Sequence, residues 1–213
     1  MLDDGGHFER SPMYHAIILE DFLDIIQLSS IYTNVLRKDL ICECKLKVNS
    51  MFNWLSAVTH PDGSLAFFND STNGIAAKLE ALKIYAEAIG MSVKEGDTKP
   101  LAVFTDSGYV RVENTDMVLL CDVGELGPDF QLGHGHADTL SCEVSLFGSR
   151  FIVNSGIDRY ELDEARLYQR STAAHSAVEV DGESSFEVWG GFRVARRAWP
   201  VGFKVRAHSD SVA

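Results

Sequence analysis

"IAAKLEALKIYAEAIGMSVKEGDTKPLAVFTDSGYVRVEN", residues 75–114, changes its period part-way along. Up to Ile89 the apolar residues recur at helical spacing, and Gly90 ends the run where a helix needs a residue at ease in a left-handed conformation. Beyond "DTKP", residues 97–100, apolar and polar residues alternate on either side of Gly108, which predicts a β-hairpin. The switch predicts a helical module over residues 1–98 and a strand module over residues 99–213.

Toward the N-terminus the pattern stays helical. Ser11 is a good cap and Pro12 suits a first turn, because its missing N–H would be unpaired there anyway. "MYHAIILEDFLDIIQLSSIY" follows with a broad apolar stripe, and residues 42–58 predict a second helix carrying Leu46, Met51, Trp54 and Leu55. Residues 60–74 are rich in turn formers and read as a long loop. Toward the C-terminus, "DMVLLCDVG", "TLSCEVSLFGSRFIVNSG", "SAVEVDG" and "FRVARRAWPVGFKVRAH" read as further strands, about eight in all. Gly148 and Asp181-Gly182 sit at hairpin turns. The fold class is α+β, helices first and antiparallel strands after, and both modules are expected to be cut short.

Net charge is −12. Residues 1–98 hold 8 basic and 14 acidic side chains and the remainder 11 and 17, so each part carries −6. With no basic face, nucleic acid is excluded as a partner. The four cysteines form no CxxC pair and read as buried thiols. No apolar run has the length of a membrane span, and the acidic "MLDDGGHFER" is unlike a secretory signal.

Four stretches hold residues suited to chemistry. In "HFERSPMYH" the cap places Tyr14 in a first helical turn, where backbone N–H groups favour negative charge; with Arg10 nearby, its phenol is expected to ionise readily and to act as acid or base. The plain alternative is a packed tyrosine. In "LGHGHADTLS", residues 132–141, His134 and His136 share a face if the chain is extended, and can hold a metal or divide into one proton carrier and one structural ring. A solvated loop is the plain alternative. Downstream, "FIVNSG" brings Asn154 and "RSTAAH" brings His175, 39 residues after His136. "EVWGGFRVARRAWP" offers Trp189 beside Arg193, Arg196 and Arg197, a composition suited to sugar stacking or to a charged strand face.

In this order the stretches resemble the heparinase II/III family of polysaccharide lyases, over nearly the whole chain from Asp3 to about Phe203. The resemblance implies an incomplete α/α toroid, of which the chain holds the end, followed by an antiparallel β-sandwich. It implies β-elimination on a uronic-acid-containing polysaccharide. Tyr14 would be the acid and also a candidate base, and His134 the catalytic histidine. Glu9, Arg10, Arg159, Arg170 and Trp189 would meet the substrate. His136 and His175 match positions that bind a structural zinc in some members, together with an acid where this chain has Asn154; a neutral amide is a poorer zinc ligand.

Full members are longer and exported, so the resemblance implies a periplasmic or cell-envelope protein, and truncation would explain the missing signal. The family's carboxylate-neutralising Asn or His lies upstream of Met1, which predicts an isolated chain with little or no activity. A polyanionic substrate also requires Arg10, Arg159 and Arg170 to outweigh the net negative charge locally, which a screening length of about 8 Å permits. Heparan sulfate and other glycosaminoglycans, alginate and bacterial exopolysaccharides all stay open as substrates. Two other readings compete: a non-catalytic carbohydrate-binding β-sandwich, and a cupin-like metalloenzyme using His134, His136 and Glu143.

Overall fold

The computed structural model describes residues 1–33, 35–93 and 99–206. Helix α1 is Pro12–Ile31, α2 is Lys38–Ala57 and α3 is Leu79–Ala88. The cap forms as the sequence predicts: Ser11 is extended, and its Oγ accepts from the Tyr14 N–H at 3.1 Å. Helix α2 starts four residues before the expected Cys42, because its apolar period already begins at the buried Ile41, one turn in from an exposed Lys38-Asp39 start. Leu46, expected on its packed face, is 73% exposed. Helix α3 starts four residues after the expected Ile75, since Lys78 is still extended.

Five strands follow: β1 Leu101–Phe104, β2 Tyr109–Glu113, β3 Met117–Asp122, β4 Cys142–Leu146 and β5 Ser149–Ile152. They form one antiparallel meander in chain order. Burial alternates along β3, so Val118, Leu120 and Asp122 point inward and Leu119 and Cys121 point away. Helices and sheet share one core, in which Met13, Leu19, Val48, Met51 and Trp54 pack with Phe68, Tyr109, Val118 and Leu120. The two stretches of different period therefore fold against each other. Asp97 and Thr98 of the expected boundary lie outside the described residues.

Several expected strands are absent among the described residues. "SAVEVDG" makes a single bridge, Val180 to Glu183, with Val178 and Val180 exposed for want of a neighbouring strand. In "FRVARRAWPVGFKVRAH" only Arg193–Val194 (β7) is a strand, paired with β6, Val188–Gly190; Ala207 and His208 lie outside the described residues. A short helix α4, Glu164–Gln169, and a 3-10 turn at Thr172–Ala174 were not anticipated. Six residues are too few to display a helical period, although Asp163 caps α4 by accepting from the Arg166 N–H. The cysteines also depart from expectation. Only Cys44 is buried; Cys42 is exposed, and Cys121 and Cys142 are half-buried on the outward face of the sheet. No described helix is long and apolar enough to cross a membrane.

Candidate active site

The start of α1 and the loop between β3 and β4 meet over Asn69 and Asp70. Ser11 Oγ donates to the Asp70 carbonyl at 2.6 Å, and the Asp70 N–H donates to the His134 carbonyl at 2.9 Å. Asn69 Nδ2 donates to the Arg10 carbonyl at 3.2 Å while its Oδ1 accepts from the His136 N–H at 3.0 Å. The turn-rich loop at residues 60–74 is thus the clasp that holds Tyr14 and His134 together.

Those two rings stack, with centroids 4.1 Å apart and planes at 12°. His134 Nδ1 lies 2.7 Å from Glu9 Oε2, so Nδ1 carries the proton and Nε2 holds the lone pair. The Tyr14 hydroxyl shares a hydrogen bond of 2.9 Å with Tyr160, whose ring stacks on Phe192 at 5.7 Å. Phe192 in turn meets His134 edge-on at 6.1 Å. Contrary to the expectation from its helix position, Tyr14 does not ionise readily: burial pushes its hydroxyl up, and the Asp70 and Glu9 carboxylates add to this against the Tyr160 hydrogen bond. At neutral pH Tyr14 is a protonated phenol, ready to donate.

The histidines of "GHGH" separate. Residues 133–134 are a turn and 135–136 are irregular, none of them in a strand, and His136 points inward, fully buried. Its Nε2 donates to Asp70 Oδ1 at 2.7 Å, and its Nδ1 lies 3.3 Å from His175 Nε2. Burial holds His136 below the ordinary histidine range despite Asp70, so the ring is neutral. For Asp70, burial acts to raise the carboxyl, but hydrogen bonds from His136 and Arg166 outweigh it and keep it ionised. Arg166 grips Asp70 with two bonds, 2.5 and 2.8 Å, and lies over the Tyr160 and Phe192 rings.

His136, His175 and Asp138 offer ligand atoms within 4.8 Å of one another. Two nitrogens on a tetrahedral zinc at 2.0–2.1 Å are about 3.3 Å apart, the separation seen here. Asp70 behind His136 supplies the outer carboxylate that orients a zinc-binding imidazole. This donor set fits zinc. The acid in this group is Asp138, while the Asn154 amide bonds Ser141 Oγ and the Ser176 N–H.

Other expected site residues lie elsewhere. Arg170 is fully buried and donates to the carbonyls of Gly135, Leu132 and Gly190, so it supports the loop from behind and does not face substrate. Arg10 turns away from Tyr14 to the carbonyls of Glu125 and Asp106. Arg159 is exposed but paired with Asp158 and Asp163, so the three arginines build no basic patch. Trp189 is exposed on β6. Glu143 bonds His60 at 2.7 Å and the N–H groups of Phe67 and Asn154, which removes it from any cupin-like ligand set. Asn69, Asp70, Asp138, Tyr160, Arg166 and Phe192 were not anticipated. The order acid, arginine, aromatic is scattered over residues 69–192, and only contacts reveal it.

Two family profiles match consecutive parts of the chain: "Heparinase II/III N-terminus" over residues 1–92 and "Heparinase II/III-like, C-terminal" over residues 96–213. The chain belongs to the heparinase II/III family. A heparin-sulfate lyase of Bacteroides stercoris is 25% identical over 203 residues, 85% of this chain and 29% of the relative. Among solved structures, a heparinase III (the BT4657 gene product) superposes with a TM-score of 0.68 at 20% identity, over 89% of this chain and 33% of that one. Heparan sulfate lyase HepC of Pedobacter heparinus gives 0.65, also at 20% identity and the same coverage. This heparinase II/III chain therefore spans about a third of the length of these relatives.

Proposed function

We propose that this chain carries the proton-transfer groups of a polysaccharide lyase that cleaves uronic-acid-containing polysaccharide by β-elimination. The observation that carries the reading is the stacked Tyr14–His134 pair, one member a protonated phenol and the other an imidazole with its lone pair on Nε2. In this reaction a base removes the proton on the carbon bearing the uronate carboxylate. The electron pair forms a ring double bond, the neighbouring C–O bond breaks, and the departing glycosidic oxygen takes up a proton. His134 Nε2 serves as base, held in register by Glu9, and Tyr14 as acid. For the opposite uronate epimer the proton lies on the other face of the sugar and Tyr14 takes both roles. Phe192 and Tyr160 supply an aromatic wall against which a sugar ring can lie.

Membership in the heparinase II/III family and the likeness to heparinase III support this reading, and with it a glycosaminoglycan as the first substrate to try. By the family resemblance alone we further assign the helices to the end of an α/α toroid, the sheet to one layer of a β-sandwich, and the protein to the periplasm or cell envelope. A zinc ion held by His136, Asp138 and His175 would supply a structural cross-link behind the loop; the residues around it orient His134 through Asp70 and Arg170.

Formation of unsaturated uronate, followed by its ultraviolet absorbance on heparan sulfate and on alginate, tests the proposal. In a full-length context that restores the upstream carboxylate-neutralising residue, Tyr14→Phe should lower turnover by about 10²–10⁴-fold with binding retained. Turnover unchanged by Tyr14→Phe sinks the assignment. In that full-length context, sugar binding without turnover favours the carbohydrate-binding alternative.

A further inference from the structure

Cys121 and Cys142 stand directly opposite each other on β3 and β4, although 20 residues separate them in the chain. The hydrogen bonds beside them fix the type of pairing. Asp122 N–H donates to the Ser141 carbonyl at 3.0 Å, and Leu140 N–H donates to the Asp122 carbonyl at 2.7 Å. The bonded position is thus Asp122 against residues 140–141, and the next pair along, Cys121 against Cys142, is a non-bonded one. In such pairs the Cα atoms are about 4.5 Å apart with both side chains on one face. That separation falls at the short end of the range that a disulfide spans, about 4.4–6.8 Å. Both thiols are half-buried on the outward face, Val110 neighbours Cys121 across β2, and neither sulfur is committed to a metal or a hydrogen-bonded network among the described residues.

We propose that Cys121 and Cys142 form a reversible disulfide that staples the foot of the segment carrying His134 and His136. The oxidant is a small-molecule disulfide. One cysteine thiolate attacks a sulfur of the reagent, forming a mixed disulfide and expelling one thiolate. The second cysteine, after losing its own proton, attacks the protein-side sulfur and expels the other. Two protein thiols become one disulfide, and the reagent leaves as two thiols. Burial pushes the Cys121 thiol up to about 11 and raises Cys142 as well, so exchange is slow at neutral pH and quickens as pH rises. The bond would close β3 onto β4 at the point where the sheet hands the chain to the candidate active-site loop.

The test uses the Cys42→Ser variant, which clears the exposed thiol, incubated with oxidised glutathione at about pH 8.5. A loss of two hydrogens, one linked peptide joining Cys121 to Cys142, and a melting temperature higher by about 5–10 °C and restored by dithiothreitol are expected. Cys142→Ser should abolish the linked peptide and the rise. Glutathione adducts that never resolve, a bond to Cys44, or thiols that stay free while a dithiol peptide in the same tube is oxidised would each overturn the proposal. Where a serine variant fails to fold, peptide mapping of the unmodified protein after the same incubation shows whether the Cys121–Cys142 link forms.

Discussion

Tyr160 donates to or accepts from the Tyr14 hydroxyl, and that bond is the largest influence easing the ionisation of Tyr14, against the burial that opposes it. Removing it with Tyr160→Phe should move tyrosinate formation at Tyr14 to still higher pH, read as the 295 nm titration or as the alkaline limb of turnover. A limb that moves to lower pH contradicts the assignment of Tyr14 as the acid. Glu9→Gln keeps a hydrogen bond to His134 but gives up the charge, so turnover should fall by roughly 10–10²-fold with substrate binding little changed. Unchanged turnover would remove Glu9 from the machinery. Tyr14 and His134 were legible because each sits in a motif of local chemistry, a capped helix start and a glycine-flanked turn. Asp70 and Tyr160 were not, since what marks them is a partner 66 or 146 residues distant.

The cap and the buried arginine act at the scale of elements. Ser11→Ala removes the acceptor of the Tyr14 N–H and the donor to the Asp70 carbonyl, and should cost about 1–2 kcal/mol in denaturant unfolding. Arg170→Met leaves the carbonyls of Gly135 and Gly190 without their donors and should cost about 3 kcal/mol or more, appearing as lower stability before any change in substrate affinity. A pure affinity loss in that variant would restore Arg170 to the substrate face. Long amphipathic elements were readable: α1 starts where its cap says, and β1 to β4 fall where alternation places them. The short α4 and the unpaired "SAVEVDG" were not, because propensity decides little over six residues and a strand needs a neighbour to exist.

For the whole molecule, acid is a sharper threat than the net charge suggests. His15 is fully buried against Trp54, its Nδ1 accepting from the His7 N–H and its Nε2 donating to the Met51 carbonyl. Burial pushes it down to about 3, so between pH 6.5 and that value the unfolded chain binds a proton that the folded chain refuses. Its stabilising contribution is whole above pH 6.5 and is lost at about 1.4 kcal/mol per pH unit below it. Urea midpoints at pH 7 and pH 5 check this, and equal midpoints refute it. Zinc content checks the second whole-molecule reading: about one equivalent is expected, falling in Asp138→Asn and unaffected by Asn154→Ala.

Asn69 ties these scales together. Its backbone is left-handed, φ 54°, a conformation in which glycine is the easy substitute. Yet its amide is bonded at once to the chain before α1 and to the chain at His136, and its N–H to Asp138. Backbone ease and side-chain duty therefore pull the position in opposite directions. Hybrid proteins that take residues 1–92 from one relative and the residues after them from another would inherit the clasp from the first parent and the loop it must grip from the second. Their competence would turn on whether this one amide finds its partners across the graft, however well each half folds.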